Sequence, residues 1–464
     1  MQNHHFDLII RGGTTVTTDG PTLSDIGISD GRIAAMGPGL PGSSDTVIDA
    51  SGKLVLPGGV DTHCHIEQVS GAGLMNADTF ETATRSAAMG GTTTVVSFAA
   101  QHPGQRMRHV VSDYAALAHK GAMIDHAFHM IVSDTGDNNL SDDIPALIAE
   151  GHRSIKLFTT YAKVRQDDKS ILDILQVAKR DGALVCFHAE NDGMIAHMTE
   201  RLLAAGKTAP KYHAQSHPRE AEIEAIDRMC RFAEFTGAEI MIFHVSTREG
   251  ADIVRRARAR GVRVQAETCP HYLFMTVDVL EQDNPARFMC SPPQRTADDQ
   301  AALWDAIADG TIELVTSDHA PYRMDSTGKF ANGTDAPFNK IANGMPGLET
   351  RLPLMFDAMV SKGRASLAAF ARMTASNPAR AFGLPGKGQI ATGFDADITI
   401  WNPDLSHEYK ANDLHDNVGY NPFEGRVVQG WPEQVFLRGQ RIVDKETLST
   451  GSGHGKWLAM VRQT

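Results

Sequence analysis

The chain has 464 residues, 42% of them hydrophobic and 22% charged, which is the composition of an ordinary globular protein. This length exceeds one ordinary core and predicts a large barrel with a smaller module. The formal net charge of -12 disfavours nucleic acid and anionic membranes as partners, and no apolar run reaches membrane-spanning length. Five scattered cysteines, and an N-terminus without a signal-peptide layout, favour a cytoplasmic location.

The first segment, residues 6–57, alternates apolar and polar positions and contains frequent turn signals. A strand is predicted over 6–10. Residues 25–28 and 32–36 predict a hairpin around Asp30-Gly31, a dipeptide suited to tight β-turns. The segment therefore predicts a small β module.

The middle of the chain, predicted as one domain over 58–384, has short β-rich runs separated by helical patterns. There are eight such runs, at 59–64, 93–98, 127–132, 154–158, 183–187, 240–243, 263–267 and 313–317. Helical patterns lie between them, at 78–89, 110–120, 171–180, 221–235 and 247–260. This alternation predicts an α/β fold with a (β/α)8 barrel of the TIM type, and the alternative is an open doubly wound sheet.

The β character returns near the C-terminus, after about residue 384. Short strands are predicted at 387–390, 396–401, 427–429 and 435–438. Because this segment, like the first one, contains short β-rich runs, we expect both chain ends to form one β-sandwich beside the barrel. The predicted division is a sandwich of 1–57 and 385–450, with a C-terminal tail at 451–464.

Candidate metal ligands lie at the ends of several predicted strands. His63 and His65 point to the same side of an extended segment, because strand side chains alternate. Barrel enzymes place their chemistry at the carboxyl ends of the strands. The same rim also receives His188, His244, Asp318 and Lys156. A single histidine there would more often be a satisfied core residue, but the whole set predicts a metal site.

The lysine of this set needs its own explanation. A buried ammonium among metal ions would be repelled and costly to desolvate. A neutral amine can instead take up carbon dioxide and become a carbamate, an anionic group able to bridge two cations. We therefore expect Lys156 to be carboxylated; the alternative is a barrel lysine paired with a carboxylate.

Short motifs extend over nearly the whole chain, at 61–65, 90–93, 156–161, 188–191, 244–246, 267–272, 291–293, 317–321, 343–347, 388–390 and 393–397. With these motifs the sequence resembles the amidohydrolase superfamily, and most closely its cyclic amidohydrolases, the hydantoinases and dihydropyrimidinases. The resemblance implies a hydrolase with two divalent metal ions, usually zinc, bridged by carboxylated Lys156 and a hydroxide. The ligands would be His63, His65 and Asp318 at the first ion, and His188 and His244 at the second.

The resemblance also implies a substrate site. Tyr161 matches a tyrosine that polarises the scissile carbonyl, and Ser291 and Asn343 match positions that hold the ring amide through backbone groups. The hydroxide would attack the cyclic amide bond of a hydantoin or dihydropyrimidine, and Asp318 would pass the proton to the leaving nitrogen. The expected product is an N-carbamoyl amino acid.

The resemblance further implies a homo-oligomer, a tetramer or dimer, and the apolar stretch 457–461 is a minor supporting sign; the alternative for this stretch is packing on its own sandwich. The loop 66–75 is more polar than the family pattern, so we expect it to favour a small or polar ring substituent; this departure leaves the set of predicted metal ligands unchanged. His102, after the second predicted strand, fits either a substrate contact or a solvated loop histidine.

Three other functions remain as alternatives. Allantoinase shares the fold and the ligands, but Tyr161 favours a hydantoinase. Dihydroorotase would require an arginine just after the His-x-His pair, where the chain has Ile66-Glu67-Gln68. A non-catalytic scaffold, such as the dihydropyrimidinase-related proteins, would lack part of the ligand set that is present here.

Overall fold

The structure, a computed structural model, describes residues 5–71, 73–136 and 138–462. The strands before the barrel are β1 (His5–Arg11), β2 (Thr14–Thr17), β3 (Gly20–Leu23), β4 (Asp25–Ser29), β5 (Arg32–Gly37), β6 (Ser43–Asp49) and β7 (Leu54–Pro57). The barrel strands are β8 (Gly59–Cys64), β9 (Thr92–Ala100), β10 (Asp125–Ile131), β11 (Ser154–Phe158), β12 (Leu184–His188), β13 (Ile240–Ile242), β14 (Val264–Thr268) and β15 (Leu314–Val315). The last strands are β16 (Ile398–Glu408), β17 (Val427–Leu437), β18 (Gln440–Asp444) and β19 (Thr447–Leu448).

The helices around the barrel begin with α1 (Phe80–Met89), α2 (Met107–Gly121), α3 (Ile144–Glu150), α4 (Asp168–Asp181), α5 (Asp192–Ala204), α6 (His213–Ser216) and α7 (Arg219–Thr236). They continue with α8 (Arg248–Ala259), α9 (Pro270–Phe274), α10 (Ala297–Ala308), α11 (Arg351–Phe356), α12 (Leu367–Ala371) and α13 (Asn377–Ala381). The five helical patterns found in the sequence correspond to α1, α2, α4, α7 and α8. None of the helices in the described ranges is both long and apolar enough to cross a membrane.

The barrel consists of β8 to β15 in sequence order, and each strand pairs in parallel with the next. Its two ends meet through a parallel bridge between Cys64 and His319, and the His65 N–H donates to the His319 carbonyl at 2.7 Å. Strands β8, β9, β10 and β12 are buried along their whole length, as expected for parallel strands covered by helices. The predicted TIM-type barrel is confirmed.

The two chain ends form the sandwich. One sheet has the order β5-β4-β1-β6 and comes from the N-terminal segment alone. The other has the order β19-β18-β17-β16-β7-β2-β3, so strands from both ends share one sheet. The antiparallel pairing of β7 with β16 joins the two ends directly. The predicted β-sandwich from both chain ends is confirmed, whereas the exact domain boundaries stay a prediction.

Two details of the predicted C-terminal strands are wrong. Residues 387–390 are not a strand, because Gly386 and Gly388 adopt left-handed φ values of 74° and 77°, which interrupt an extended chain. The predicted strands 427–429 and 435–438 belong instead to one strand, β17, which continues through Gly430 and Pro432. A shift in its register with β16, between Ile400 and Trp401, accommodates this segment.

The C-terminal tail packs on the amino end of the barrel. Trp457 forms a parallel bridge with His126, and its ring lies 5.1 Å from that of His152. Further on, the Met460 N–H donates to the Gly151 carbonyl at 3.0 Å. The stretch 457–461 therefore rests on its own barrel, but Trp457 and Val461 remain 41% and 52% exposed, and the oligomer stays a prediction.

Candidate active site

Three of the predicted ligands converge where β8 and β15 meet. His63 Nε2 lies 3.0 Å from Asp318 Oδ1, and His65 Nε2 lies 3.6 Å from the same oxygen. One candidate ligand atom from each residue lies within 4.8 Å of the others, a spacing that a single metal ion can hold. All three side chains are largely buried, so a cation there would be shielded from water.

The other nitrogen of each of these two imidazoles has a protein partner. His63 Nδ1 hydrogen-bonds to Glu267 Oε1, and His65 Nδ1 lies 2.6 Å from Gln68 Oε1. A metal-binding histidine almost always engages its second nitrogen in this way, which fixes the ring and its tautomer. The arrangement leaves Nε2 of both rings as the ligand atom.

The two remaining histidines form a second group. The rings of His188, at the end of β12, and His244, after β13, are 4.5 Å apart between centroids. His188 Nε2 lies 2.7 Å from Glu190 Oε2, and His217 Nδ1 lies 2.9 Å from the other oxygen of that carboxylate. Within the described residues the ring of His244 has no hydrogen-bond partner. His188 Nδ1 and His244 are thus available to a second cation.

Lys156 lies between the two histidine groups, on β11. Its side chain is 1% exposed, and its Nζ lies 4.1 Å from the centroid of the Phe243 ring and 5.1 Å from that of Phe158. Among residues 5–71, 73–136 and 138–462, no carboxylate forms an ion pair with it. Burial lowers the pKa of Lys156 to about 8. The predicted alternative, a lysine paired with a carboxylate, is therefore wrong for the described chain.

The electrostatics of the rim match a metal site. Burial lowers the pKa of His65, His188 and His244, which favours the neutral imidazole that a cation requires. Burial alone would raise the pKa of Asp318, but His63 and His65 hold it well below its usual value. Burial would lower the pKa of His63 as well, but Glu267 and Asp318 raise it. Asp318 is thus a carboxylate beside imidazole nitrogens, which is a suitable donor set for zinc.

The backbone of the rim is strained at three of the predicted site residues. Tyr161, His244 and Asp318 have φ values of 69°, 41° and 45°, in the left-handed region that side chains other than glycine rarely adopt. Such conformations persist only where the surrounding structure enforces them, and they cluster at active sites. The strained backbone at these three residues sets the direction in which their side chains point.

The predicted substrate residues form one wall of the same cavity. Ser291 and Asn343 lie beside Tyr161, and Asn343 Nδ2 donates to Ser291 Oγ at 3.1 Å. The ring of Tyr161 lies 5.3 Å from that of His188. These residues and the five clustered metal-ligand side chains, with Lys156, line a cavity of about 420 Å³, a volume suited to a small ring compound.

Comparison with known proteins shows the family of this chain. The model of the amidohydrolase family matches residues 54–442. The D-hydantoinase of Rhizobium radiobacter is 41% identical over 95% of this chain and 96% of its own length. The D-phenylhydantoinase of Escherichia coli O1:K1 / APEC is 38% identical over 97% of each chain. The crystal structure of dihydropyrimidinase from Brevibacillus agri NCHU1002 superposes with a TM-score of 0.95, at 35% identity and 98% and 99% coverage.

The chain belongs to the hydantoinase branch of the amidohydrolase family. The family is metal-dependent, and the donor set described above fits that dependence, because two histidines and an aspartate of this amidohydrolase present ligand atoms to one point. The chain is thereby a cyclic amidohydrolase.

Three residues that orient the ligands of this amidohydrolase were not identified from the sequence. Glu267 and Glu190 hold His63 and His188, and Gln68 holds His65. A signal was present for Glu267, a carboxylate at the end of the seventh predicted strand, and for Glu190, two residues after His188. Gln68 gave no such signal, because nothing local shows that the loop folds back.

Gln68, in the loop 66–75, contacts His65, so this loop orients one of the predicted metal ligands. The reason given for a polar ring substituent changes. Glu67 accepts a hydrogen bond from the Phe80 N–H at 2.9 Å, at the start of α1. Ser70 and His102 do line the cavity of the amidohydrolase, together with the apolar Val69 and Leu74.

Proposed function

We propose that this chain hydrolyses the cyclic amide bond of a hydantoin or a dihydropyrimidine to an N-carbamoyl amino acid. The observation that carries the proposal is the convergence in one cavity of the histidine, aspartate and lysine groups with Tyr161, Ser291 and Asn343. The names of the most similar relatives, D-hydantoinase and dihydropyrimidinase, support the same reaction class.

The site would hold two divalent cations, with zinc favoured by the nitrogen-rich donor set. His63, His65 and Asp318 would bind the first ion, and His188 and His244 the second. When bound, the ions supply an activated water as nucleophile and polarise the substrate carbonyl. Glu267, Gln68 and Glu190 keep the imidazole rings in the orientation that ligation needs.

Lys156 would bridge the two ions as a carbamate. In this step its neutral amine forms an N–C bond to carbon dioxide, one C=O electron pair moves to oxygen, and one N–H proton leaves. The support is geometric: the amine is buried between two histidine groups, faces aromatic rings and lacks a carboxylate partner among the described residues. The resulting anion would compensate the charge of the cations.

Two side chains and two backbone segments would act on the substrate. The Tyr161 hydroxyl would donate a hydrogen bond to the carbonyl oxygen as negative charge develops there. The segments at Ser291 and Asn343 would hold the ring amide. Asp318, held as a carboxylate by the nearby histidines, would accept the proton of the nucleophile and deliver it to the ring nitrogen as the C–N bond breaks.

The lining of the cavity limits which ring substituents fit. Ser70, His102 and Lys163 line the cavity, and Val69 and Leu74 contribute apolar surface. We propose that a small or polar substituent is accepted in preference to a large aromatic one. The support now comes from Ser70, His102 and Lys163 rather than from Glu67.

Two further proposals concern the environment of the enzyme. We propose a homo-oligomer, a dimer or tetramer, on the likeness to the family alone. We also propose a reducing cytoplasm, and the support is that the five cysteines are all buried and unpaired.

Turnover of dihydrouracil, unsubstituted hydantoin, 5-phenylhydantoin and allantoin by zinc-loaded protein tests the proposed reaction. We expect hydrolysis of hydantoin or dihydrouracil, with the N-carbamoyl product identified by mass spectrometry, and loss of activity after chelation. Preferred turnover of allantoin over all the other rings would overturn the substrate assignment. Absence of turnover by protein with a full metal complement would favour the non-catalytic scaffold.

A further inference from the structure

A second buried lysine lies behind the substrate wall. Lys329 is in the long segment that follows β15, and its side chain is 0% exposed. Its Nζ donates to two main-chain carbonyls, that of Ala342 at 2.9 Å and that of Met289 at 3.2 Å. The amine therefore connects two segments that are far apart in the chain.

The amine lacks the usual compensation for a buried lysine. Within the described ranges of the chain no carboxylate forms an ion pair with Lys329, and its only hydrogen bonds go to these two carbonyls. Burial lowers the pKa of Lys329 to about 7. The ammonium and the neutral amine both have enough N–H groups for two carbonyl partners, so the connection does not depend on the protonation state.

The two carbonyls belong to the segments that carry the proposed substrate residues. Met289 lies two residues before Ser291, and Ala342 immediately precedes Asn343. The Met289 carbonyl also accepts the Gly344 N–H at 2.8 Å, so a direct main-chain hydrogen bond joins the two segments in addition to the Lys329 amine. Ser291, Ala342 and Asn343 line the cavity, whereas Lys329 is not in contact with it.

We propose that Lys329 is a positioning residue that fixes the separation of the segments 289–291 and 342–344, and thereby the preference of the enzyme for a five- or a six-membered ring. The inference rests on the proposed function. Backbone groups on both segments would hold the same ring amide, and a six-membered ring needs more room between them than a five-membered ring. Loss of the amine leaves only the direct contacts between the segments, from the Gly344 N–H to the Met289 carbonyl and from Asn343 to Ser291. The separation can then relax, so the two ring sizes bind with more similar affinity.

The test compares wild type with Lys329→Met, which keeps most of the side-chain volume and removes both hydrogen bonds. Lys340→Met is the matched control, because Lys340 is an exposed lysine in the same loop. For each protein kcat and KM are measured with hydantoin and with dihydrouracil, and the ratio of the two kcat/KM values gives the ring preference. Metal content is measured in parallel.

We expect Lys329→Met to retain its metal, to raise KM about tenfold with a smaller change in kcat, and to move the ring preference at least threefold towards equality. Lys340→Met should match wild type. An unchanged ring preference in Lys329→Met would overturn the inference. A merely structural role would lower kcat/KM for both rings by the same factor and leave their ratio unchanged.

Lys329→Gln, which retains an N–H donor, is the second variant. We expect a ring preference between those of wild type and Lys329→Met. If neither variant folds with its metal, the residue is a core residue and the inference fails. Failure of the proposed function is distinct from these outcomes, because wild type itself would then hydrolyse neither ring.

Discussion

At the carboxyl end of the barrel, Lys156 is buried against aromatic rings without a carboxylate partner among the described residues, whereas Lys387, at the junction of barrel and sandwich, is buried among aspartates. Lys387 Nζ lies 2.6 Å from Asp125, 3.0 Å from Asp395 and 2.8 Å from Asp397. Burial lowers the pKa of Lys156 to about 8, while at Lys387 the aspartates outweigh burial and raise the pKa above its usual value.

The two buried lysines serve different purposes, because Lys156 belongs to the candidate active site whereas Lys387 joins two parts of the fold. A buried cation is stable where carboxylates surround it, and the junction uses such a cluster to join β10 to the chain between α13 and β16. A buried amine without that compensation is costly, so it persists where another requirement maintains it. At the rim the requirement that we propose is the bridging of two cations by Lys156.

The largest expected effect is on Lys156. Lys156→Ala should lose most of its metal and lower kcat/KM about ten-thousandfold, or ~5.4 kcal/mol, because the bridge between the ions disappears. Metal analysis and steady-state kinetics with hydantoin measure it. Added propionate should restore part of the activity by supplying a carboxylate. Full activity in the variant without added acid would show that no bridge is needed.

Replacement of Lys387, the lysine paired with aspartates, should lower stability and leave activity nearly unchanged. Lys387→Met leaves the buried Asp397 without a cation, while Arg438 still pairs with Asp125 and Arg32 with Asp395, and it should lower the free energy of unfolding by about 3 to 5 kcal/mol. Urea unfolding measures this loss, and kcat per folded chain should stay close to wild type. Lys169→Met removes an exposed pair with Asp173 and is the control, with unchanged stability expected. A large fall in kcat without loss of stability in Lys387→Met would break the comparison.

A smaller effect is expected at the substrate wall. Tyr161→Phe removes one hydroxyl and should lower kcat and kcat/KM together by about 2.7 to 4 kcal/mol, the cost of losing one donor to developing charge. Steady-state kinetics with the better ring substrate measure both parameters. Tyr322→Phe is a suitable control, because Tyr322 also lines the cavity but lies outside the proposed catalytic set. A rise in KM alone in Tyr161→Phe would assign the hydroxyl to binding of the ground state.

The barrel was predictable because its strands are short apolar runs, whereas the segments between them repeat their apolar residues with a helical period. The rim was predictable for the same reason, since His63 lies near the end of such a run and His188 and His244 follow such runs directly. Contacts made through folded loops were not predictable. Gln68 reaches His65 only because the loop 66–75 turns back, and Lys329 lies 40 residues from Met289.

The error at 387–390 has a related cause. The run Lys387-Gly388-Gln389-Ile390 has the alternation of a strand, but its glycine adopts a left-handed conformation and its lysine is fixed by charges from β10. An alternating sequence pattern indicates a strand only where no charged contact with a distant residue holds the segment in another conformation. Those aspartates were visible in the sequence, but their convergence was not.

Anomalous X-ray diffraction at the zinc absorption edge, from crystals of protein shown to be active in solution, tests the central claim most directly. The account predicts two anomalous peaks in each chain, one beside His63, His65 and Asp318 and one beside His188 and His244. It also predicts branched electron density beyond Lys156 Nζ, between the peaks. A single peak with an unmodified Lys156, in protein that hydrolyses hydantoin or dihydrouracil at full rate, would contradict it.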